Sequence, residues 1–177
     1  MQYQIDTGNL EALRAAFARA PELVVREMTA AVTEADNLLL REVKDKMPIG
    51  GQGFLRQSVF NEERVSETGV LGMVATPLRY AEPVELGTKP HFPPLQPLVD
   101  WVLHSPVGQS TFRGAGGKAL TEKTARGVAF LIARKISRSG TKAQRPFGIA
   151  LQENEAQVLG MFEAALGRIA NQLAGAN

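Results

Sequence analysis

Arg79-Tyr80-Ala81-Glu82-Pro83-Val84-Glu85-Leu86-Gly87-Thr88-Lys89-Pro90-His91-Phe92-Pro93-Pro94 is the stretch on which the reading of the fold turns. Tyr80, Val84 and Leu86 read as apolar positions of a short strand that breaks at Gly87. Gly87 is expected at positive φ, which glycine alone adopts without steric cost. Pro90, Pro93 and Pro94 fix their own φ and push the residues before them towards extended geometry. Thr88 to Pro94 is thus expected to form a stiff arm with little freedom left to lose on meeting a neighbour. Pro83 puts the strand at a sheet edge, because proline cannot donate to a ladder on both sides. An exposed edge invites another chain to pair with it. The plain alternative is a strand followed by an ordinary proline-rich connector.

Two further strands are expected upstream, Phe54 to Val65 and Val70 to Thr76, joined by a turn at Glu67-Thr68-Gly69. Short connections favour antiparallel pairing. Before them, Val24, Met28, Val32, Ala35, Leu39, Val43 and Met47 recur at three- and four-residue steps, predicting a long amphipathic helix from Pro21 to Met47. Leu10, Leu13 and Phe17 predict a short lead-in helix interrupted at Pro21. Glu42 and Lys46 stand four apart in the favourable order. Downstream, helices are expected over Leu95–Leu103, Glu122–Ser137 and Pro146–Leu173. The second carries Val128, Leu131, Ile132 and Ile136 on its apolar face, and Gly140 ends it. The third carries Val158, Phe162, Ala165, Leu166, Ile169 and Leu173. The glycine-rich stretch 105–121 is expected to be a flexible loop. The pattern predicts an α+β fold: long helices packed on a small antiparallel sheet, with an extended arm and a long loop. It predicts a single domain over 1–177, with 1–20 as lead-in.

The chain of 177 residues contains no cysteine, which removes disulfides and thiolate metal sites and fits a reducing compartment. The first residues lack a basic-then-apolar signal pattern. Val128 to Ala133 is the longest strongly apolar run, far short of the roughly 20 residues of a membrane span. The expectation is a soluble protein without membrane contact. The net charge of +2 hides an asymmetry: residues 1–122 hold 12 basic and 15 acidic side chains, residues 123–177 hold 8 and 3. Between Lys123 and Gln152 there are seven basic residues and no acidic one, among them Arg134, Lys135, Arg138, Lys142 and Arg145. Such a segment can attract phosphate, as on DNA, or an acidic protein surface. It also reads as a solvated helix face and loop, since no aromatic interleaving accompanies it.

Catalytic and cofactor patterns are weak. Asp100, His104 and Ser105 offer triad residue types, but adjacency in sequence is not the nucleophile–base–orienter geometry. His91 and His104 are the only histidines, and neither has a second ligand at metal-binding spacing beyond Asp100. Gly114-Ala115-Gly116-Gly117-Lys118-Ala119 has a phosphate-loop flavour. It has Phe112 where the first glycine belongs and Ala119 where a Ser or Thr would hold magnesium. No cofactor, no metal site and no enzymatic activity are expected.

Tyr80-Ala81-x-x-Val84-Glu85-x-Gly87-Thr88 followed by Pro90-His91 resembles a signature of the head–tail joining and tail-completion proteins of long-tailed bacteriophages, the minor tail protein Z group included. Gly53-Phe54-Leu55-Arg56-Gln57-Ser58 resembles that family's Gly-x-Leu-Arg-x-Ser strand entry. Ile132-Ala133-Arg134-Lys135-Ile136, Gly140-Thr141-Lys142-Ala143 and Arg145-Pro146-Phe147 resemble its later helix and turn. The resemblance covers roughly residues 20–175. It implies a virion component of the neck or tail end, made in the host bacterial cytoplasm, that forms a homo-oligomeric ring, a hexamer by the same resemblance. Other neck and tail proteins would be its partners, with non-specific contact to passing DNA. The residues it puts at the assembly interface are Tyr80, Val84, Glu85, Gly87, Thr88, Pro90, His91 and Phe92. Arg134, Lys135, Arg138, Lys142 and Arg145 would face a DNA passage or an acidic partner. The alternative is a nucleic-acid-binding module built on 123–145.

Overall fold

The computed structural model describes residues 10–49, 53–66, 69–112 and 120–174, with backbone only for 10–17 and 19. The elements are α1 (Leu10–Lys46), α2 (Phe54–Ser58), β1 (Phe60–Ser66), β2 (Gly69–Ala75), α3 (Ala81–Leu86), α4 (Leu95–His104), α5 (Pro106–Thr111), α6 (Glu122–Ser139) and α7 (Pro146–Ala174). The fold is α+β, with long helices and one two-stranded antiparallel sheet, β1–β2. The chain divides into two compact units. Unit 1 takes the residues up to Leu39, Asn61–Val74 and those from Glu153 onward; unit 2 takes Leu40–Phe60 and Ala75–Gln152.

In unit 1, Ala31, Val32, Ala35 and Leu38 of α1 are buried, as are Ala165 and Ile169 of α7. Along β2 the half-buried positions Val70, Gly72 and Val74 alternate with the exposed Leu71 and Met73, the period-2 pattern of a one-sided strand. In unit 2, α4 and α6 pack through Val99, Val102, Ala125 and Ala129, flanked by Trp101, Phe112, Leu120 and Ile132. Ala125, Ala129 and Ala133 have no exposed surface. Small residues at four-residue steps put one stripe of α6 against its neighbours and leave its larger side chains elsewhere. Thr121 caps α6, its Oγ1 accepting from the Thr124 N–H, and Gly140 ends it at φ 67.

Several expectations are corrected. The predicted break at Pro21 is absent: α1 is continuous through it. Pro21 is exposed, and its neighbours Ala18, Ala20 and Glu22 are good helix formers. Phe54 to Ser58 is not strand but a short helix after Gly53, whose φ of 72 turns the chain; only Phe60–Ser66 pairs with β2. Tyr80 to Leu86 is not an edge strand either, for Ala81–Leu86 is α3. Pro83 there lies within the first turn, where its missing N–H would have had no helical partner. The start of the expected 105–121 loop is α5, and residues 113–119 lie outside the described residues. Glu42 and Lys46 do pair, at 3.7 Å.

Candidate assembly surface

The segment after α3 is held by a clasp. Thr88 and Thr141 form an isolated antiparallel bridge, with Thr88 N–H donating to Thr141 O at 3.1 Å and Thr141 N–H to Thr88 O at 3.2 Å. Their hydroxyls lie 3.0 Å apart, and the Thr141 N–H also donates to Thr88 Oγ1. Gln144 N–H adds a bond to Val84 O at 2.9 Å. Gly87 and Gly140 flank the bridge with φ 75, ψ −178 and φ 67, ψ −161. That region is essentially restricted to glycine. Space demands glycine as well: a Cβ on Gly87 would meet Thr141 O at 2.5 Å, and one on Gly140 would collide with Thr88 O. The positive φ expected at Gly87 is present. Its surroundings are the backbone of Thr141, Lys142 and Ala143 in the same unit, so the turn is held within the subunit at a part-exposed position.

Glu85 is likewise turned inward. Its carboxylate accepts from the Phe147 N–H at 3.0 Å and the Gly148 N–H at 2.9 Å, closing the first turn of α7 from 62 and 63 residues away. An anion at a helix N-terminus satisfies donors that lack helical partners and meets the positive end of the helix dipole. Glu85 therefore serves this subunit's own architecture. Arg145, at the entry to α7, has φ 51, a left-handed conformation rare outside glycine.

Beyond the clasp, the arm lies alongside α6. Phe92 meets Phe130 with ring centroids 6.1 Å apart and planes tilted by 56°. His91 Nδ1 lies 2.9 Å from Lys89 O. Both phenylalanines keep about half their surface in water, 54% for Phe92 and 48% for Phe130. Beside the arm opens a cleft of about 770 Å³ with Pro48, Leu55, Pro83, Val84, Leu98, Trp101 and Ile136 among its apolar walls. Tyr80, Thr88, His91 and Lys142 also line it. Of the eight residues expected at an interface, Tyr80, Val84, Thr88 and His91 thus line one cavity, Phe92 and Pro90 are exposed, and the part-buried Glu85 and Gly87 are engaged within the subunit. Arg134, Lys135 and Arg138 lie exposed on α6, with Lys142 and Arg145 exposed in the turn after it.

The triad residue types do not form a nucleophile–base pair. Ser105 is fully buried and its Oγ caps α5 by accepting from Gly108 N–H at 2.8 Å, while His104 Nδ1 sits 2.9 Å from the Asp100 carbonyl. No group of three or more metal-ligating side chains occurs among the described residues.

Two carboxylates of unit 1 have displaced pKa values. Asp36 is buried, 5% exposed, with Oδ2 lacking a partner, and it lies directly over Gly72. Burial pushes its pKa up, Glu63 adds to the rise, and a bond from the Met73 backbone N–H opposes it. Its mark in the sequence is an acid on the Val32–Ala35–Leu39 stripe, where an apolar residue belongs. Glu27 is held at about 2 by hydrogen bonds from Arg168 first, then Arg26 and Gln172. No protein-family model, curated protein or solved structure matches this chain.

Proposed function

We propose that this chain is a structural virion protein of a phage neck or tail end, assembling as a ring that completes the tail and joins it to the DNA-filled head. The observation that supports this reading best is the apolar cleft beside the arm, with Phe54 58% and Tyr80 48% exposed along it. Large apolar side chains left in water next to an apolar cavity suit a surface that another protein covers. The resemblance of the Tyr80–His91 stretch supplies the identity of that setting. The role is mechanical and needs no catalytic group.

Tyr80→Asp tests it. Tyr80 is half in water, so the subunit should melt normally by circular dichroism, while ring formation in native mass spectrometry and joining of heads to tails in electron microscopy are lost. Normal joining by the variant, or a wild-type protein that forms no ring alone or with neck components, overturns the reading. A second reading, a nucleic-acid-binding module, is favoured by the exposure of Arg134, Lys135, Arg138, Lys142 and Arg145. It requires duplex affinity that falls with salt at a log–log slope of about −0.9 per phosphate contacted.

A further inference from the structure

Two exposed helix stripes have opposite charge and similar length. On α6 the alanine stripe takes the burial, leaving Phe130 at 48% and Leu131 at 63% exposure, although Leu131 was expected on the buried face. Around these two sit Arg126 on one side and Arg134, Lys135 and Arg138 on the other, all exposed. Steps of three, four, seven and eight residues keep Phe130, Leu131, Arg134 and Arg138 on one helix face, with Arg126 and Lys135 at its two edges. The only acidic residue of α6 is Glu122, in its first turn. Arg134 and Arg138 stand four apart, a like-charge arrangement that disfavours an isolated helix.

The outer face of α7 is the counterpart. Leu151, Glu155, Leu159, Glu163 and Leu166 follow one another at steps of four, four, four and three. Leu151 is 54%, Leu159 56% and Leu166 58% exposed, and Leu166 was expected to be buried. The only basic residue of α7 is Arg168, which is engaged by Glu27 at 2.8 Å. Gly160 and Gly167 stand beside Leu159 and Leu166, and a Cβ on either would meet nothing within 4 Å. A solvent-facing glycine inside a helix costs about 1 kcal/mol relative to alanine. A glycine there does, however, let a second backbone approach closely. From 126 to 138 and from 151 to 166 the two stripes run about 18 and 22 Å along their axes. None of Arg126, Arg134, Lys135, Arg138, Glu155 and Glu163 makes an ion pair among the described residues.

We infer that the basic–apolar face of α6 in one copy docks on the acidic–apolar face of α7 in the next copy. Phe130 and Leu131 then lie against Leu159 and Leu166, and the α6 cations meet Glu155 and Glu163. The two faces differ, so the contact is head-to-tail and generates a ring when the rotation closes. This inference rests on the ring reading above and names the surfaces that would build it. A phosphate backbone would use the cations but leave Leu131 and the α7 stripe uncovered, so a second copy accounts for more of the surface than DNA does.

The test uses charge reversal in the full chain. Arg134→Glu/Lys135→Glu/Arg138→Glu leaves Arg126 against three acids, so both faces become acidic, and Glu155→Lys/Glu163→Lys makes both basic. Each variant alone should fold by circular dichroism and self-associate at least about 100-fold more weakly in sedimentation. An equimolar mixture should regain assembly with the two variants alternating, and a chain carrying all five reversals should assemble by itself. Reversed variants that assemble as the wild type does overturn this interface and leave the ring reading standing. A wild type that never self-associates overturns both. Loss of duplex DNA binding by Arg134→Glu/Lys135→Glu/Arg138→Glu, with self-association unchanged, reassigns the α6 face to nucleic acid and overturns the inference.

Discussion

The clasp of unit 2 and the Asp36–Gly72 contact of unit 1 each need a glycine where a side chain would collide, yet their polar groups end differently. At Gly87 and Gly140 the close approach is between backbones, and each bridge N–H and carbonyl finds a partner across it. At Gly72 the approach is made by a carboxylate, and Asp36 Oδ2 has no partner. Space saved by a missing Cβ stabilises only where it lets donors and acceptors meet; where it admits an uncompensated acid it carries a cost.

Breaking the first side of that contrast should have the largest effect. Gly140→Val forces a β-branched residue into a glycine-only region and pushes the Thr88 carbonyl away, losing the bridge. The strain of about 1–3 kcal/mol and two bonds of about 1 kcal/mol each predict a loss of roughly 3–5 kcal/mol by urea denaturation. Gly87→Val should behave alike, losing fold stability as well as assembly. Glu85→Ala should cost about 1–2 kcal/mol, since two N–H groups of α7 lose a charged acceptor. Glu85→Gln, which keeps an acceptor oxygen, should recover part of that loss.

The second side breaks in the opposite direction. The folded state raises the pKa of Asp36 above its ordinary 3.8, so its contribution favours folding at low pH and is lost as pH rises through the raised value. Asp36→Asn should therefore raise stability at pH 7, by an amount on the order of 1 kcal/mol, and flatten the decline from pH 4 upward. Glu27 has the reverse sign. Its pKa of about 2 lies below the ordinary 4.5, so its contribution is full above pH 5 and fades as pH falls from there to 2. Glu27→Gln should remove that acid limb, and of the changes named here it should move thermal stability at neutral pH least, because Arg26 and Arg168 are substantially in water.

The long elements were legible because period and punctuation agreed. Leu95–His104, Glu122–Ser139 and Pro146–Ala174 lie close to where the three- and four-residue steps, Gly140 and Pro146 put them. Gly69–Ala75 lies within one residue of the strand expected at Val70 to Thr76 after the turn at Glu67-Thr68-Gly69. Tyr80–Leu86 misled because Pro83 reads equally as an edge-strand residue and as a first-turn helix residue, and no local pattern decides between them. The helical form goes with a long-range pairing that leaves no local trace: Phe147 N–H and Gly148 N–H donate to the Glu85 carboxylate. Of the candidate surface, Tyr80, His91 and Phe92 were legible as exposed presenters near proline. Thr141 was legible only as part of a later turn and Gly140 only as a helix end and turn residue, because a bridge across 53 residues leaves no periodic trace. The inward choice of alanines over Leu131 on α6 also escaped hydrophobicity, since close helix approach selects small size before apolar character.

The clasp also fixes an order of events during chain synthesis. Leu95 to Ser139 can pack as α4–α6 as soon as it emerges, because those contacts lie close in sequence. Thr88 must wait for Thr141, and Glu85 for Gly148, with the helical hairpin already looped between them. Closing a loop of that length costs entropy that grows only slowly with each added residue. Prior packing of α4 on α6 shortens the effective loop further. A clasp that closes only after the folding barrier predicts that weakening it hastens unfolding while leaving the rate of refolding nearly unchanged, which stopped-flow folding and unfolding rates of Gly140→Val would check.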